Sequence, residues 1–84
     1  MSWSLEWSQA ALKDLKRLDA TVAQRVGRAV DRLAETGEGD VKRLKGKGGV
    51  LRLRVGDWRV FFLLDTDAGS LLVLRVLHRG DAYR

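Results

Sequence analysis

The sequence predicts an α+β domain with the element order β-α-α-β-β-β, in which a helical hairpin packs on one face of a mainly antiparallel four-stranded sheet. Apolar residues recur at helical spacing between residues 8 and 37, and on both sides of this stretch the apolar period changes to two. Because the turns between the last three strands are short, these strands are expected to form an antiparallel meander. All 84 residues are expected to form one domain.

The first strand is predicted at residues 3–7, where apolar and polar side chains alternate. Trp3, Leu5 and Trp7 then share one face of this strand. We expect them to pack in the core; the alternative is that the two tryptophans stack on nucleic-acid bases.

Two helices follow, and their ends carry typical capping residues. Ser8 is a good N-cap for the first helix. The second helix is predicted to begin near Asp19 or Thr21 and to end at Thr36, with Gly37 as its C-cap. Because the join between the helices is short, they are expected to form an antiparallel hairpin. The apolar positions are Ala11, Leu12, Leu15 and Leu18 in the first helix and Val22, Val26, Val30 and Leu33 in the second.

The segment that connects the helices to the next strand is basic and rich in glycine, and reads Val41-Lys42-Arg43-Leu44-Lys45-Gly46-Lys47-Gly48-Gly49. It lacks the phosphate-binding pattern G-x-x-x-x-G-K-[ST]. We interpret it as a flexible loop whose cationic side chains, Lys42, Arg43, Lys45 and Lys47, approach phosphate groups. The alternative is a plain solvated loop.

Three strands are predicted in the remainder of the chain, at residues 50–55, 58–64 and 71–78. A tight turn at Gly56-Asp57 joins the first two of them. The middle strand is apolar on both faces, so we expect it to lie at the centre of the sheet.

The positive charge of the chain is concentrated in its second half. Residues 1–41 contain 6 Lys/Arg and 7 Asp/Glu, whereas residues 42–84 contain 10 Lys/Arg and 4 Asp/Glu. This distribution points to a polyanionic or acidic partner, and the alternative is a solvated, solubilising face. Because the chain has no Cys and one His, a disulfide scaffold, a thiolate zinc site and a multi-histidine metal site are excluded. No apolar run is long enough to span a membrane, and no signal peptide is visible, so we expect a cytoplasmic protein. Because the acidic residues are scattered and not clustered as a two-metal site needs, we also expect activity without a metal, and we expect no cofactor.

Basic residues gather near the ends of the predicted strands. Alternation places Arg52 and Arg54 on one sheet face, and the tight turn brings Arg59 close to them. If the helices cover the other face, His78, Arg79 and Tyr83 are expected to converge with these arginines on the uncovered face. The planar guanidinium group matches the geometry of phosphate, and Tyr83 can stack on an unpaired base. Phosphate binding is therefore favoured over a solvated sheet face.

The order of elements, together with four segments, resembles the RelE/ParE superfamily of toxins from type II toxin–antitoxin systems. The resemblance covers almost the whole chain, and no segment is specific by itself. The segments are Ala10-Ala11-Leu12-Lys13-Asp14-Leu15, Val41-Lys42-Arg43-Leu44-Lys45-Gly46, Leu51-Arg52-Leu53-Arg54-Val55-Gly56-Asp57-Trp58-Arg59-Val60-Phe61-Phe62 and Val76-Leu77-His78-Arg79-Gly80-Asp81-Ala82-Tyr83.

The resemblance implies a RelE-type ribonuclease that enters the ribosomal A site and cuts mRNA by metal-independent attack of the 2′-hydroxyl on the scissile phosphate. It also implies an acidic antitoxin as a partner. The family's site maps onto Arg52 and Arg54, onto Arg59 and Arg79 as stabilisers of the phosphoryl charge, and onto Tyr83 as the base-stacking residue.

One departure concerns proton transfer. This chain has Arg52 and Arg54 where well-studied relatives have lysine, and arginine is a poor general base because its pKa is too high. His78 is the candidate whose ordinary pKa suits proton transfer near neutral pH, and Asp81 is a weaker candidate. Three other interpretations stay open: a ParE-like inhibitor of DNA gyrase, an inactive paralogue that binds only its antitoxin, and a plain basic RNA-binding domain.

Overall fold

The computed structural model describes residues 2–83 and contains two helices and five strands in the order β-α-α-β-β-β-β. The elements are β1 (Ser4–Trp7), α1 (Gln9–Lys16), α2 (Ala20–Thr36), β2 (Asp40–Arg43), β3 (Leu51–Val55), β4 (Trp58–Asp65) and β5 (Ser70–His78). The predicted α+β class is confirmed. Within residues 2–83, neither helix combines the length and the apolar character needed to cross a membrane.

The strands form one mixed sheet in the order β1-β5-β4-β3-β2. The β1–β5 pair is parallel and the other neighbouring pairs are antiparallel, which confirms the predicted meander of β3, β4 and β5. β4 lies at the centre of the sheet, as its apolar character on both faces predicted.

The sheet has five strands rather than four, because residues 40–43 form an edge strand where the sequence indicated a loop. These residues pair antiparallel with β3, from Asp40 opposite Arg54 to Arg43 opposite Leu51. All four side chains of β2 are exposed and three of them are charged. Short, charged edge strands resist pairing with other chains, and the same charges hide the strand from a search for apolar alternation.

The core lies between the helical hairpin and one face of the sheet. It is formed by Ala11, Val26, Val30, Leu33 and Ala34 from the helices and by Leu53, Val55, Val60, Phe62, Leu71, Val73 and Val76 from the strands. Trp3, Leu5 and Trp7 are partly buried and pack against this core, which confirms the packing interpretation of the first strand.

The helix ends confirm the predicted caps. Ser8 Oγ accepts a hydrogen bond from the Ala11 N–H at 3.0 Å and donates to the Leu74 carbonyl at 2.8 Å, so the N-cap also ties α1 to β5. Gly37 ends α2 in the left-handed conformation with φ of 77°, which glycine adopts without a steric cost.

Asp14 closes the edge of β5 beyond the end of β1. The last β1–β5 pair is Trp7 with Val73, and the Asp14 carboxylate then accepts the Val76 N–H at 2.9 Å. Arg75 also donates to this carboxylate, from Nε at 2.8 Å and from Nη2 at 3.0 Å. A side chain of α1 thus takes the place of a neighbouring strand and fixes the helix against the sheet.

Candidate functional site

Four cations and one carboxylate lie together on the β2–β3–β4 part of the sheet face on which no helix packs within residues 2–83; we call this face the open face. Residues paired across strands point to the same face, and neighbours along a strand point to opposite faces. Leu53 and Val60 belong to the core, so their neighbours along β3 and β4 lie on the open face. Two cross-strand rows result, Lys42–Arg52–Phe61 and Asp40–Arg54–Arg59. We call Lys42, Arg52, Arg54 and Arg59 the basic cluster.

Arg52 is a largely enclosed member of the basic cluster. Its side chain is only 12 % exposed, and its Nη2 lies 3.7 Å from Asp40 Oδ1. Its Nε is buried without a hydrogen-bond partner among the described residues. A buried donor without a partner costs about 1–3 kcal/mol.

Arg59 is held over the β3–β4 turn. Its Nη1 donates to the Gly56 carbonyl at 2.9 Å and to the Trp58 carbonyl at 3.0 Å. Its Nε is also buried without a partner among the described residues. The guanidinium group is therefore fixed in position by the turn.

Arg79 is attached to the same turn through Asp57. Its backbone N–H donates to the Asp57 carbonyl at 2.8 Å, and its Nε lies 3.9 Å from Asp57 Oδ1. Both side chains of this ion pair are exposed, so the pair itself contributes little stability. Arg59 and Arg79 are thus both tied to the β3–β4 turn.

Gly56 makes this turn possible, and we expect Gly56→Ala to destabilise the protein by about 1–2 kcal/mol, since a left-handed conformation strains alanine by this amount. Gly56 has φ of 59°, and a Cβ there would lie 3.0 Å from Arg25 Nη2. The change also displaces the carbonyl that holds Arg59, so an activity carried by Arg59 should fall as well. Urea denaturation measures the stability loss.

The matched control is Gly69→Ala in the β4–β5 turn, where φ is 67° and no atom lies within 4 Å of the added Cβ. This control carries the backbone strain without the contact with Arg25. If both variants lose the same stability and Gly56→Ala keeps full activity, the turn does not position Arg59 for function.

His78 does not join the basic cluster, so the expectation that it converges with the arginines is wrong. It pairs with Trp58 in the β4–β5 register, and their rings meet edge to face at 5.2 Å and 84°. Trp58 packs against the core, which places this pair on the helix-covered side of the sheet. The neighbouring Leu77 pairs with Arg59 and occupies the open face instead. His78 Nδ1 accepts the Gly80 N–H at 3.3 Å.

Tyr83 lies on the open face beside the cluster. Its ring meets Phe61 edge to face at 6.2 Å and 89°, and the residue is 62 % exposed. Phe61 pairs with Arg52, so the exposed tyrosine ring and the cations border one surface. This arrangement agrees with the predicted grouping of Tyr83 and the strand arginines.

The four basic residues of the segment 41–49 lie in different parts of the structure. Lys42 belongs to the cluster, whereas Arg43 pairs with Leu51, which packs against the core, and so lies at the edge of the opposite face. Lys45 is exposed in the loop, and Lys47 lines a cavity on the open face.

Sequence reasoning missed Asp40 and Phe61 as parts of this surface. Asp40 lies opposite Arg54 and near Arg52, so one carboxylate partly offsets the charge of the cluster. The signal for Asp40 was hidden because β2 was interpreted as a loop. The signal for Phe61 was the alternation of β4, in which Val60 and Phe62 face the core and the residue between them cannot.

The cluster can bind a phosphate group. Like charges placed this closely repel one another, and an anion between them removes the repulsion. Arginine presents a rigid set of donors that matches the oxygens of a phosphate.

A helical hairpin on a five-stranded mixed sheet, with β1 parallel to β5, defines a RelE-like fold. The RelBE2 toxin–antitoxin complex of Mycobacterium tuberculosis contains a similar chain, with a TM-score of 0.85 and 23 % identity over 96 % of this chain and 95 % of that chain. The RelE–RelB complex of Pyrococcus horikoshii contains another, with a TM-score of 0.80 and 25 % identity over 98 % of this chain and 100 % of that chain.

The sequence comparisons agree with the fold. The chain is 28 % identical to the RelE1 protein of Methanocaldococcus jannaschii, over 100 % of this chain and 98 % of that protein. Residues 5–83 match the family model described as "ParE toxin of type II toxin-antitoxin system, parDE". The chain therefore belongs to the RelE/ParE family of type II toxins.

Proposed function

We propose that this toxin is an endoribonuclease that cuts mRNA in the ribosomal A site and binds the scissile phosphate on the basic cluster. The observation that carries the proposal is the basic cluster itself, in which four cations lie in two adjacent cross-strand rows of the open face with Asp40 as the carboxylate beside them. The substrate itself supplies the nucleophile. Its 2′-hydroxyl attacks the adjacent phosphorus, the bond to the 5′-oxygen breaks, and a 2′,3′-cyclic phosphate and a 5′-hydroxyl result.

The proposed role of the protein is to orient the phosphate and to stabilise its charge. Negative charge grows on the phosphoryl oxygens as the 2′-oxygen attacks, and fixed donors stabilise this charge more strongly than mobile water does. Arg59 is held by two carbonyls of the β3–β4 turn, so its orientation is set before substrate binds. Arg52, Arg54 and Arg79 supply further positive charge. The proposed reaction uses no metal and no cofactor.

Tyr83 is proposed to orient the nucleotide next to the scissile phosphate. Its ring is exposed and borders Arg52 through Phe61. Recognition of unpaired RNA relies on aromatic rings that stack on splayed bases. An mRNA strand in the A site presents such unpaired bases.

The variant His78→Ala tests whether His78, on the helix-covered side of the sheet, transfers a proton during cleavage. We expect His78→Ala to reduce cleavage far less than the roughly 10²-fold that loss of a general acid or base costs. We expect a stability loss of about 0.5–1.5 kcal/mol, because the edge-to-face contact with Trp58 is removed. Single-turnover cleavage and thermal unfolding measure the two effects. A 10²-fold or greater loss of cleavage with unchanged stability would instead assign His78 to the chemistry.

An acidic antitoxin is the proposed protein partner. The open face carries the basic cluster and also, away from that cluster, apolar side chains of β4 and β5 such as the half-buried Leu63 and Leu72. A solvated sheet face usually alternates to polar residues, so this face is suited to a covering segment. A partner that binds only the folded toxin also raises its stability by mass action. Purification of the native toxin without any small acidic protein would count against this proposal.

Inhibition of DNA gyrase is the second candidate, and the ParE description of the matching family model favours it. One experiment separates the two functions. The purified toxin is added to a translation reaction, with primer extension to map cleavage of mRNA, and separately to gyrase with relaxed plasmid. The proposal expects cut mRNA and normal supercoiling. Blocked supercoiling with intact mRNA would replace it with the gyrase function.

A further inference from the structure

A small cavity opens on the open face beside the basic cluster. Its volume is about 230 Å³, and its lining residues are Leu44, Lys47, Val50, Phe61, Leu77 and Ala82. These residues come from β4, β5, the loop between β2 and β3 and the segment after β5. Five of the six are apolar, and Lys47 supplies the single charged group.

The cavity adjoins the basic cluster through cross-strand pairs. Phe61 pairs with Arg52, and Leu77 pairs with Arg59, so two walls of the cavity are direct neighbours of two cluster arginines. An apolar recess with an aromatic wall thus lies next to donors that suit phosphate. Nucleic-acid strands present this combination, because each nucleotide joins an anionic phosphate to a flat ring.

We propose that this cavity, which we call the base pocket, takes one nucleobase of the RNA strand whose phosphate lies on the basic cluster. The proposal rests on the proposed function for its substrate class and adds a second contact to it. Known ligand pockets measure roughly 300–1,000 Å³, so this smaller recess suits one ring rather than a whole nucleotide. Lys47 can donate to an acceptor on the base.

Charge complementarity favours a nucleobase over an apolar side chain of a protein. The recess is lined by Lys47 and is flanked by Arg52 and Arg59, the cross-strand partners of its walls Phe61 and Leu77. A nucleotide satisfies the apolar walls and these donors at once, whereas an apolar side chain satisfies only the walls. A protein segment in this recess is therefore an outcome that would overturn the proposal.

The test is an NMR titration of the toxin at low salt with the four ribonucleoside 5′-monophosphates and, as the reference probe, ribose 5-phosphate. We expect the nucleotides to shift the methyl signals of Leu44, Val50, Leu77 and Ala82 through the ring current of the base. Ribose 5-phosphate should move only the arginine Nε signals. At least one nucleotide should bind about tenfold more tightly than ribose 5-phosphate, since contact with a base contributes about 1–3 kcal/mol.

Ala82→Leu fills the base pocket, and Ala68→Leu in the β4–β5 turn adds the same bulk elsewhere. We expect Ala82→Leu to lose the tenfold advantage of the nucleotide while its affinity for ribose 5-phosphate stays unchanged, and Ala68→Leu to keep both. Equal binding of nucleotide and ribose 5-phosphate, or methyl signals that respond only to an added antitoxin, would overturn the proposal.

The titration does not depend on cleavage, so its failure is distinct from failure of the proposed function. Base-dependent methyl shifts in a toxin that leaves mRNA intact would keep the base pocket and remove the nuclease function. Cleavage of mRNA without any methyl shift would keep the nuclease function and remove the base pocket.

Discussion

Arg59→Ala is expected to lower mRNA cleavage by on the order of 10²–10³-fold, the usual cost of removing one fixed donor from a developing oxyanion. Arg59 is the cluster residue whose guanidinium group is held by two backbone carbonyls, so its loss removes a donor that is oriented in advance. The measurement is single-turnover cleavage of mRNA on purified ribosomes. Urea denaturation records how much stability is lost with the two hydrogen bonds.

Two further variants separate charge from folding. Arg54→Ala removes an exposed arginine opposite Arg59 and should reduce cleavage with little loss of stability. Arg28→Ala removes an exposed arginine of α2 and should leave cleavage unchanged. Full activity in Arg59→Ala and Arg54→Ala would remove the basic cluster from the mechanism.

Asp14→Ala is expected to destabilise the protein by about 2–3 kcal/mol, more than the losses expected for Gly56→Ala or His78→Ala. Asp14 is 5 % exposed, and its loss leaves the buried Val76 N–H without an acceptor. Breaking a fully buried ion pair costs about 3–5 kcal/mol, but the Arg75 side chain is 46 % exposed and water solvates it in the variant. Urea denaturation at neutral pH measures the loss. The matched control is Asp31→Ala, which removes an exposed aspartate of α2 and should cost little.

The same carboxyl makes stability depend on pH. Burial alone would raise the pKa of Asp14, but the hydrogen bonds from Arg75 and from the Val76 N–H, with the charges of Arg75 and Arg17, hold this pKa below its ordinary value. An aspartate in the unfolded chain has a pKa of about 3.9. The contribution of Asp14 is therefore present above about pH 4 and is lost as the pH falls through the lower folded-state pKa.

Asp14→Asn should remove this part of the acid sensitivity, because the amide does not titrate in this range. The free energy of unfolding of the wild type should fall more steeply than that of the variant as the pH drops below about 4. Parallel pH profiles for the two proteins would show that Asp14 has the same pKa in the folded and unfolded states.

The spacing of apolar residues predicted the helices and strands that contribute side chains to the core. The helix limits follow from Ser8 and Gly37, whose caps need only the local backbone, and the central position of β4 follows from its apolar character on both faces. β2 was missed because its charged side chains are all exposed, so no burial imposes alternation on it. It is a strand because it forms hydrogen bonds with β3, about ten residues further along the chain. A pattern within residues 40–43 alone does not show this pairing.

The residues of the candidate site are brought together by strand register. Register explains why the pairing of Arg54 with Arg59 was predicted and why His78 was misplaced. The tight turn at Gly56-Asp57 fixes the pairing of Arg54 with Arg59, so their neighbourhood could be derived from the sequence. His78 was misplaced because adjacent residues of a strand point to opposite faces, and the face of β5 at its end is set by pairing with Trp58. The position of Asp40 beside the cluster could not be predicted because it depends on the pairing of β2 with β3.

The central claim is that the open face binds an mRNA phosphate which is attacked by the neighbouring 2′-hydroxyl. The most direct measurement uses purified ribosomes that carry mRNA with a single 2′-deoxynucleotide at the mapped cleavage position in the A site. We expect the toxin to cut the all-ribose mRNA into fragments with a 2′,3′-cyclic phosphate and a 5′-hydroxyl, and to leave the 2′-deoxy mRNA intact at that position. Equal cleavage of both mRNAs, or no cleavage of either, would contradict the claim.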